Sequence, residues 1–249
     1  EVGVELRLFQ NRLMLDVAAF EKVTTEQIVG VPLSTASGYV NTRQNAASLK
    51  NRGLETLIEY KAVQKKDFSW TTSWNNAFLS TEVLNVGNPN GTILLLYFNG
   101  TGNEFLGEIR YTEGLAMNQL YTRTYRRNDK GEILVDNNGR PLRSNTNPAG
   151  ITDGFNPVGS SIPKFTGGWN NTITYKNLSV GVQFDYKFGG TVLTSTLLNM
   201  TRQGHSKLSL TGREGGYIFP GVNVNTGQPN TVAITVANNG LQNLWTGYR

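Results

Sequence analysis

Few residues in this chain could do chemistry, and none of them forms a catalytic constellation. The sequence has no cysteine and one histidine, His205, which excludes disulfides, thiolate metal sites and histidine-based triads. His205 follows Gly204 and is expected to be a loop residue. Glu55 and Glu59 share one face of a predicted strand, where two solvated carboxylates are a better interpretation than a general acid/base pair. We therefore predict a protein that is not an enzyme and needs no cofactor and no metal.

A polar segment at Asp136-Asn137-Asn138-Gly139 partly matches a calcium-binding loop. Glycine stands at its fourth place, however, and Asn147 occupies the position where the motif needs glutamate. The segment is better interpreted as the turn of a small hairpin, at about 125–142.

Basic residues gather in the middle of the chain, which has a net charge of +5 and an isoelectric point near 9.4. This outer-loop basic patch comprises Arg123, Arg126, Arg127, Arg140 and Arg143. It is either a solvated loop or a surface for lipopolysaccharide phosphates, an anionic substrate or an acidic partner. Because these residues neither lie along a predicted helix nor form a reader motif, no nucleic-acid partner is expected.

The clearest structural element is a predicted hairpin, with strands at about 166–176 and 178–190. A two-residue turn at Lys176-Asn177 would place Tyr175 opposite Leu178 and Trp169 opposite Phe184. One face of this hairpin is apolar and aromatic, and we predict that it faces lipid: Trp169, Ile173, Tyr175, Val180, Val182, Phe184 and Tyr186. The other face is polar, and we predict that it faces a lumen: Asn170, Gln183, Asp185 and Lys187. This alternation is typical of a membrane barrel, although a soluble β-sandwich also alternates.

A second hairpin is predicted at the beginning of the chain, with strands at about 2–10 and 13–23. A two-residue turn at Asn11-Arg12 would pair Leu8 with Leu15 and would place Arg7 opposite Asp16. Glu5, Arg7 and Asp16 then share the lumen-facing side, where a cross-strand ion pair is reasonable. A solvated pair on any antiparallel sheet is the alternative interpretation.

Two further strands are predicted at about 49–62 and 68–81, so that short turns alternate with long connections at about 24–48, 82–165 and 191–249. Loops of this length are unusual in compact soluble domains, whereas outer-membrane barrels combine short periplasmic turns with long outer loops. No apolar run approaches the roughly 18 residues of a membrane helix. Six strands are too few for a closed barrel. We expect a processed chain or part of a longer polypeptide, since it begins at Glu1 in the middle of the strand pattern.

Several segments resemble, in the family's order, the later barrel region of SusC-like (SusC/RagA) TonB-dependent outer-membrane transporters of Bacteroidetes. They are ELRLFQNRLMLDVAAFEK at 5–22, the segment at 25–28, VPLSTASGY at 31–39, NAASLKNRGLE at 45–55, FSWTTSWNN at 68–76, NDKGEILVDNNGRP at 128–141 and PKFTGGWNNTITYKNLSVGVQFDYKFGG at 163–190. They cover about half of the residues. The resemblance implies an all-β fold in which residues 1–249 are part of the transmembrane antiparallel barrel domain of 22 strands. The N-terminal plug and the TonB box would lie outside this segment.

The resemblance also implies a function and partners. The complete protein would import oligosaccharides or peptides across the bacterial outer membrane, would be energised by TonB through its N-terminal part, and would be capped by a SusD-like surface lipoprotein. Outer-membrane lipid and lipopolysaccharide would surround it, and the resemblance admits a dimer of transporter–lipoprotein pairs. The competing hypothesis is a secreted or surface-attached soluble β-protein, such as an adhesin or a carbohydrate-binding module. No residue is assigned to substrate.

Overall fold

Strands dominate the computed structural model, which describes residues 1–33, 35–39, 41–99, 105–144 and 154–235. Its helical elements are an eight-residue helix and two single 3₁₀ turns, and no helix in the described ranges is long and apolar enough to cross a membrane. In chain order the elements are β1 (Val2–Leu8), β2 (Leu13–Pro32), the 3₁₀ turn Thr35–Ser37, β3 (Asn41–Gln64), β4 (Phe68–Asn85), β5 (Thr92–Asn99), β6 (Phe105–Thr112), β7 (Gln119–Arg123), β8 (Leu134–Val135), β9 (Phe155–Ser160), β10 (Phe165–Tyr175), β11 (Leu178–Phe188), α1 (Ser195–Arg202), the 3₁₀ turn Lys207–Leu210, β12 (Tyr217–Ile218), β13 (Val222–Asn223) and β14 (Ala233–Ile234).

The largest element is a six-stranded antiparallel sheet with the order β1-β2-β3-β4-β10-β11. Chain neighbours are also sheet neighbours, except that residues 86–164 connect β4 to β10. The three short turns, at 9–12, 65–67 and 176–177, lie at the same end of the strands. At this end Lys176 N donates to Asp67 O over 2.9 Å, and Lys65 N donates to Phe68 O over 2.8 Å. The long connections leave from the opposite end. This arrangement confirms the predicted all-β antiparallel fold.

The pairing of β10 with β11 confirms the predicted hairpin. Tyr175 lies opposite Leu178, Ile173 opposite Val180 and Trp169 opposite Phe184. Lys176 adopts a positive φ of 50° in the two-residue turn, as such a tight hairpin requires. Alternation along β11 determined the sidedness, because a slip of one residue would turn every side chain to the other face, and the two-residue turn at Lys176-Asn177 then determined the register.

The first hairpin differs from the prediction by a register shift of two residues. Leu8 pairs with Leu13 and Leu6 with Leu15, because the turn comprises four residues, 9–12, rather than two. Arg12 explains the difference, since its guanidinium donates to the carbonyl oxygens of Lys61 (3.2 Å) and Ala62 (2.8 Å) on β3 and thereby anchors the turn.

The predicted Arg7–Asp16 pair is therefore wrong. Arg7 lies opposite Met14, and Glu5 lies opposite Asp16. The Arg7 guanidinium instead forms an ion pair with Glu5 of its own strand, with Nε 2.7 Å from Oε1. All three predicted residues nevertheless remain on the same face of the sheet, because a shift of two residues preserves the sidedness.

The loop predicted at 24–48 is also wrong over most of its length. β2 continues to Pro32 and β3 begins at Asn41, and the two strands pair as far as Pro32 opposite Asn41, with register shifts near Gln27. Their polar sequences lack the apolar alternation by which the strands were predicted. Pairing with each other supplies the backbone hydrogen bonds that hold them extended.

Two compact units divide the chain: residues 1–93, 111–119 and 160–191 form the first, and residues 94–110, 120–159 and 192–249 form the second. The predicted loops at 82–165 and 191–249 are thus more regular than expected. They contain the four-stranded sheet β5-β6-β7-β9, the helix α1 and the pairs β8–β13 and β12–β14. A small core of Val135, Phe219 and Ile234 packs in the second unit. Residues 236–249 of the last predicted loop lie outside the described residues.

Candidate functional site

The six-stranded sheet has one face that is apolar from edge to edge. All seven side chains predicted to face lipid lie on it, and most of its large apolar groups are exposed. Its exposed members include Val4, Leu6, Val17, Trp74, Phe78, Trp169, Ile173, Tyr175, Val180, Val182 and Phe184. Rings pack along the face, with Trp169 5.7 Å from Phe184 and 6.0 Å from Trp74 between ring centroids. An exposed apolar surface of this extent marks an interaction site, since soluble monomers rarely leave one uncovered.

The apolar face has a definite height. It runs on β4 through positions 68, 70, 72, 74, 76 and 78, from the row Phe68–Tyr175–Leu178 to the row Phe78–Phe165–Phe188. Ten residue steps of about 3.3 Å make about 33 Å of strand, which at the tilt of about 40° found in outer-membrane barrels would rise about 25 Å, the height of their apolar band. We call these six rows the apolar band.

Polar side chains within the apolar band are paired with one another. Trp169 Nε1 donates to Thr72 Oγ1 over 2.8 Å, and Trp70 Nε1 donates to Asn171 Oδ1 over 3.2 Å. The Tyr186 hydroxyl donates to Asn76, whose amide donates to Thr56 Oγ1 over 3.2 Å. Since an unpaired polar group is costly in an apolar medium, these bonds make the face compatible with hydrocarbon. Sequence alternation did not reveal these pairs, of which the two tryptophan bonds are diagonal and the other two lie within one row.

Replacing Trp169 by phenylalanine is expected to destabilise the protein by about 1 kcal/mol, because the Thr72 hydroxyl loses its donor. The double variant Trp169→Phe with Thr72→Val removes both partners and should recover most of that loss. Urea unfolding of the complete protein in lipid vesicles measures both. If the stability losses of the two single substitutions simply added in the double variant, the Trp169–Thr72 hydrogen bond would be contradicted.

The opposite face of the sheet is polar. It holds all seven side chains predicted to face a lumen, and a cavity of about 690 Å³ opens on it. The charged residues that line the cavity are Asp16, Glu55, Asp185 and Lys187, from β2, β3 and β11. Small neighbouring residues leave space for the cavity. Glu55 lies between Ala18 and Ala77 in its row, and Asp185 lies opposite Gly168.

The structure therefore brings together three of the predicted lumen-facing residues, Asp16, Asp185 and Lys187, at one cavity. Gln183 supports this group because its Nε2 donates to Asp185 Oδ1 over 3.0 Å. Asn170 lies opposite Gln183 on the same face, and Glu5 and Arg7 lie at the β1 edge, outside the cavity lining. Glu55 was singled out in the sequence only as half of an acid/base pair. Its partner in that hypothesis, Glu59, does not line the cavity.

Four arginines of the basic patch lie on a small folded hairpin of the second unit, and Arg123 ends β7 just before it. Arg143 is opposite Tyr125 and Arg127 is opposite Ile133, with Arg126 N donating to Leu142 O over 2.8 Å. Arg123 stacks on the Phe155 ring at 5.4 Å, and Arg127 Nη1 donates to Gly131 O over 2.6 Å. Arg140 is half-buried, whereas the other four arginines are exposed.

The segment at 136–139 is a turn, as predicted. Asp136 Oδ1 accepts from Asn138 N at 2.8 Å and from Arg140 N at 2.9 Å. This carboxylate is therefore engaged in hydrogen bonds within the turn. Asn147 lies outside the described residues. Within the described ranges, no group of three histidine, cysteine or acidic side chains is placed to hold a metal ion.

Comparison with known proteins gives relatives of one kind. The chain is 26% identical to the TonB-dependent receptor P39 of Formosa agariphila, over 76% of this chain and 22% of the relative. It is also 26% identical to the TonB-dependent receptor P3 of the same organism, over 80% and 21%. No family model matches. The chain thus spans about a fifth of the length of the curated relatives it matches.

Solved structures give the same result for the fold. The RagAB peptide transporter has a TM-score of 0.56 with 23% sequence identity, over 74% of this chain and 20% of the other. The RagAB peptide importer in its closed-closed state has a TM-score of 0.56 with 24% identity, over 76% and 20%. These findings confirm the resemblance inferred from the sequence: the chain is similar in sequence to part of TonB-dependent receptors and shares its fold with part of the RagAB transporter.

Proposed function

We propose that this chain forms part of the barrel wall of a TonB-dependent importer in the bacterial outer membrane. The observation that carries the proposal is the exposed apolar band, about 25 Å high by strand geometry, on the back of a polar face. In this arrangement the apolar band contacts acyl chains, and the polar face, with Glu5, Arg7, Asp16, Asn170, Gln183, Asp185 and Lys187, lines an aqueous lumen. The chain makes and breaks no bond.

The mechanism of such a wall is physical. The inner strands β2, β3, β4 and β10 satisfy their backbone groups by pairing on both sides, as hydrocarbon requires, and the free edges of β1 and β11 would pair with further strands of the complete barrel. The cavity at Asp16, Glu55 and Asp185 offers hydrogen-bond acceptors, and Lys187 offers donors, to whatever solute or protein segment occupies the lumen. Charged and hydroxyl side chains there keep the passage hydrated.

The complete protein would import oligosaccharides or peptides with a SusD-like lipoprotein as its lid and TonB as its source of energy. RagAB, a peptide transporter, and the TonB-dependent receptors of Formosa agariphila support this assignment as relatives. The hairpin with Arg123, Arg126, Arg127, Arg140 and Arg143 would lie on an outer connection, where lipopolysaccharide phosphates or an acidic surface of the lid could bind it. A dimer of transporter–lipoprotein pairs remains part of this proposal.

Extraction and uptake test the proposal. We expect the complete protein to stay in the outer-membrane fraction in high salt, to require detergent for release, and to co-purify with a lipoprotein. Its deletion should abolish uptake of one labelled oligosaccharide or peptide and leave passage of small sugars unchanged. Release into the aqueous phase without detergent, together with glycan binding by the soluble material, would favour a soluble carbohydrate-binding protein instead.

A further inference from the structure

The two faces of the six-stranded sheet exchange polarity over a few rows near the ends of β2, β3 and β4 that lie opposite the short turns. The apolar band ends with Phe78. The next row on the same face is Glu21–Arg52–Ser80, followed by Lys50 opposite Glu82. Arg52 Nε lies 2.5 Å from Glu21 Oε2, and Lys50 Nζ lies 3.9 Å from the same oxygen. The outward face therefore changes from aromatic to charged within one step of two residues.

The opposite, inner face becomes apolar slightly further along the strands, beyond the polar row Lys22–Asn51–Thr81. Leu49 lies opposite Val83, and both are fully buried, at 1% and 0% exposure. They belong to a core with Val29, Ala47, Val86 and Ile93. Tyr111 and Met117 of the same unit pack against this core, and Met117 N donates to Thr81 Oγ1 over 3.1 Å. Their segment also bonds the edge of β4, where Val83 N donates to Leu115 O over 2.9 Å.

Each of these two arrangements of polar and apolar faces suits a different surrounding medium. An apolar outside with a polar inside suits hydrocarbon around a wet lumen, whereas a charged outside with an apolar inside suits water around a folded core. Arginine, lysine and glutamate side chains on the outer face of a barrel are strongly disfavoured within hydrocarbon and are tolerated at its edge. Val23 and Leu84, which are exposed on the charged part, are isolated apolar side chains of the kind any water-facing surface has.

From this inversion we infer that the outer surface of the bilayer crosses the sheet between the Phe78 row and the Glu21–Arg52–Ser80 row. β2 beyond Glu21, β3 before Arg52 and β4 beyond Ser80 then project from the membrane as a three-stranded ribbon with its own core. The partner of the sheet below the boundary is acyl chain, and above it is water and lipid headgroups. This inference rests on the proposed function and adds the position of the membrane edge.

Two valines of β2 provide a matched test. Val17 and Val23 lie on the same sheet face, six residues apart, with similar exposure of 40% and 50% in this chain. This chain has no cysteine, so each single variant, Val17→Cys or Val23→Cys, introduces the one thiol of this segment, and the unsubstituted complete receptor is the control for thiols elsewhere. The complete receptor is expressed in intact cells and treated with a membrane-impermeant maleimide. We expect Val23→Cys to react at least about tenfold faster than Val17→Cys, because a charged reagent is excluded from hydrocarbon.

Fluorescence quenching by labelled lipid gives a second measurement of the same boundary. In vesicles containing nitroxide-labelled acyl chains, a fluorophore on Val17→Cys should be quenched and one on Val23→Cys should not. Heat-modifiable electrophoretic mobility verifies that each variant has assembled. If both positions are protected from maleimide and quenched by lipid, the boundary is higher and the inference fails, while the membrane-spanning proposal survives. If both react with maleimide and neither is quenched, the proposed function fails with it.

Discussion

Replacing Val182 by arginine is expected to destabilise the membrane-assembled protein by about 2–4 kcal/mol, since the change puts a charge on the lipid face near the middle of the apolar band. Val182 lies opposite Asn171, and Asn171 lies opposite Thr72, in the third of the six rows from the short turns. Neither of these side chains is an acid that could pair with the guanidinium. Urea unfolding of the complete receptor in lipid vesicles measures the loss of unfolding free energy. In cells, the fraction of the receptor that is unfolded in the outer membrane measures the consequence of that loss.

The matched control is Gln183→Arg, one residue further along β11 and on the polar face. It places the same side chain beside Asp185, to whose Oδ1 Gln183 already donates. A change of no more than about 0.5 kcal/mol is expected, as at other water-facing surface positions. Equal effects of the two arginines would contradict the assignment of the faces. A soluble β-protein would tolerate both, because both positions are exposed in this chain.

Replacing Gly167 by alanine is expected to cost about 1–3 kcal/mol, as overpacking of a tight contact does. A Cβ at this position would lie 2.4 Å from the backbone oxygen of Asn75 and 2.5 Å from the Tyr186 hydroxyl. The Tyr186 ring covers the glycine, so the side chain and the β4 backbone would both have to shift. Urea unfolding in lipid vesicles measures this loss of stability, and proteolysis at the β4–β10 pair is a probe of local opening.

Gly181 of β11 is the control for this effect. It also lies within a paired strand, but a Cβ there would meet nothing within 4 Å. Gly181→Ala should leave stability unchanged or raise it by about 0.4–1 kcal/mol, because it reduces the freedom of the unfolded chain. A loss at Gly181 as large as the loss at Gly167 would show that glycine itself, rather than the close contact, matters at these positions.

The β10–β11 hairpin shows what alternation can determine. The alternation from Leu178 to Phe188 predicts the strand and its sidedness, and the two-residue turn at Lys176-Asn177 predicts the register. The same reasoning identified the seven apolar and seven polar residues that the structure places on opposite faces. It did not identify which of them meet, since the Trp169–Thr72 and Trp70–Asn171 bonds join strands about a hundred residues apart.

The outer ends of β2 and β3 show where alternation fails. Above the membrane edge inferred here, the outer side meets water and the inner side meets a local core, so the apolar period that marks a spanning strand is absent. Residues 24–48 were therefore predicted to be a loop, although backbone pairing extends both strands to Pro32 and Asn41. Strand pairing is satisfied by the partner's backbone and needs no sequence signature of its own.

By itself, the sequence determined the two-faced strands, the short turns at one end and the resemblance to SusC-like transporters, because each depends on residues close in the chain. The tertiary structure alone decided the register of β1 on β2, where the Arg12 guanidinium bonds the carbonyls of Lys61 and Ala62 some fifty residues away. It also decided which carboxylates share the cavity and where along the strands the faces exchange polarity. Those features depend on cross-strand neighbours, and only the folded sheet brings such residues together.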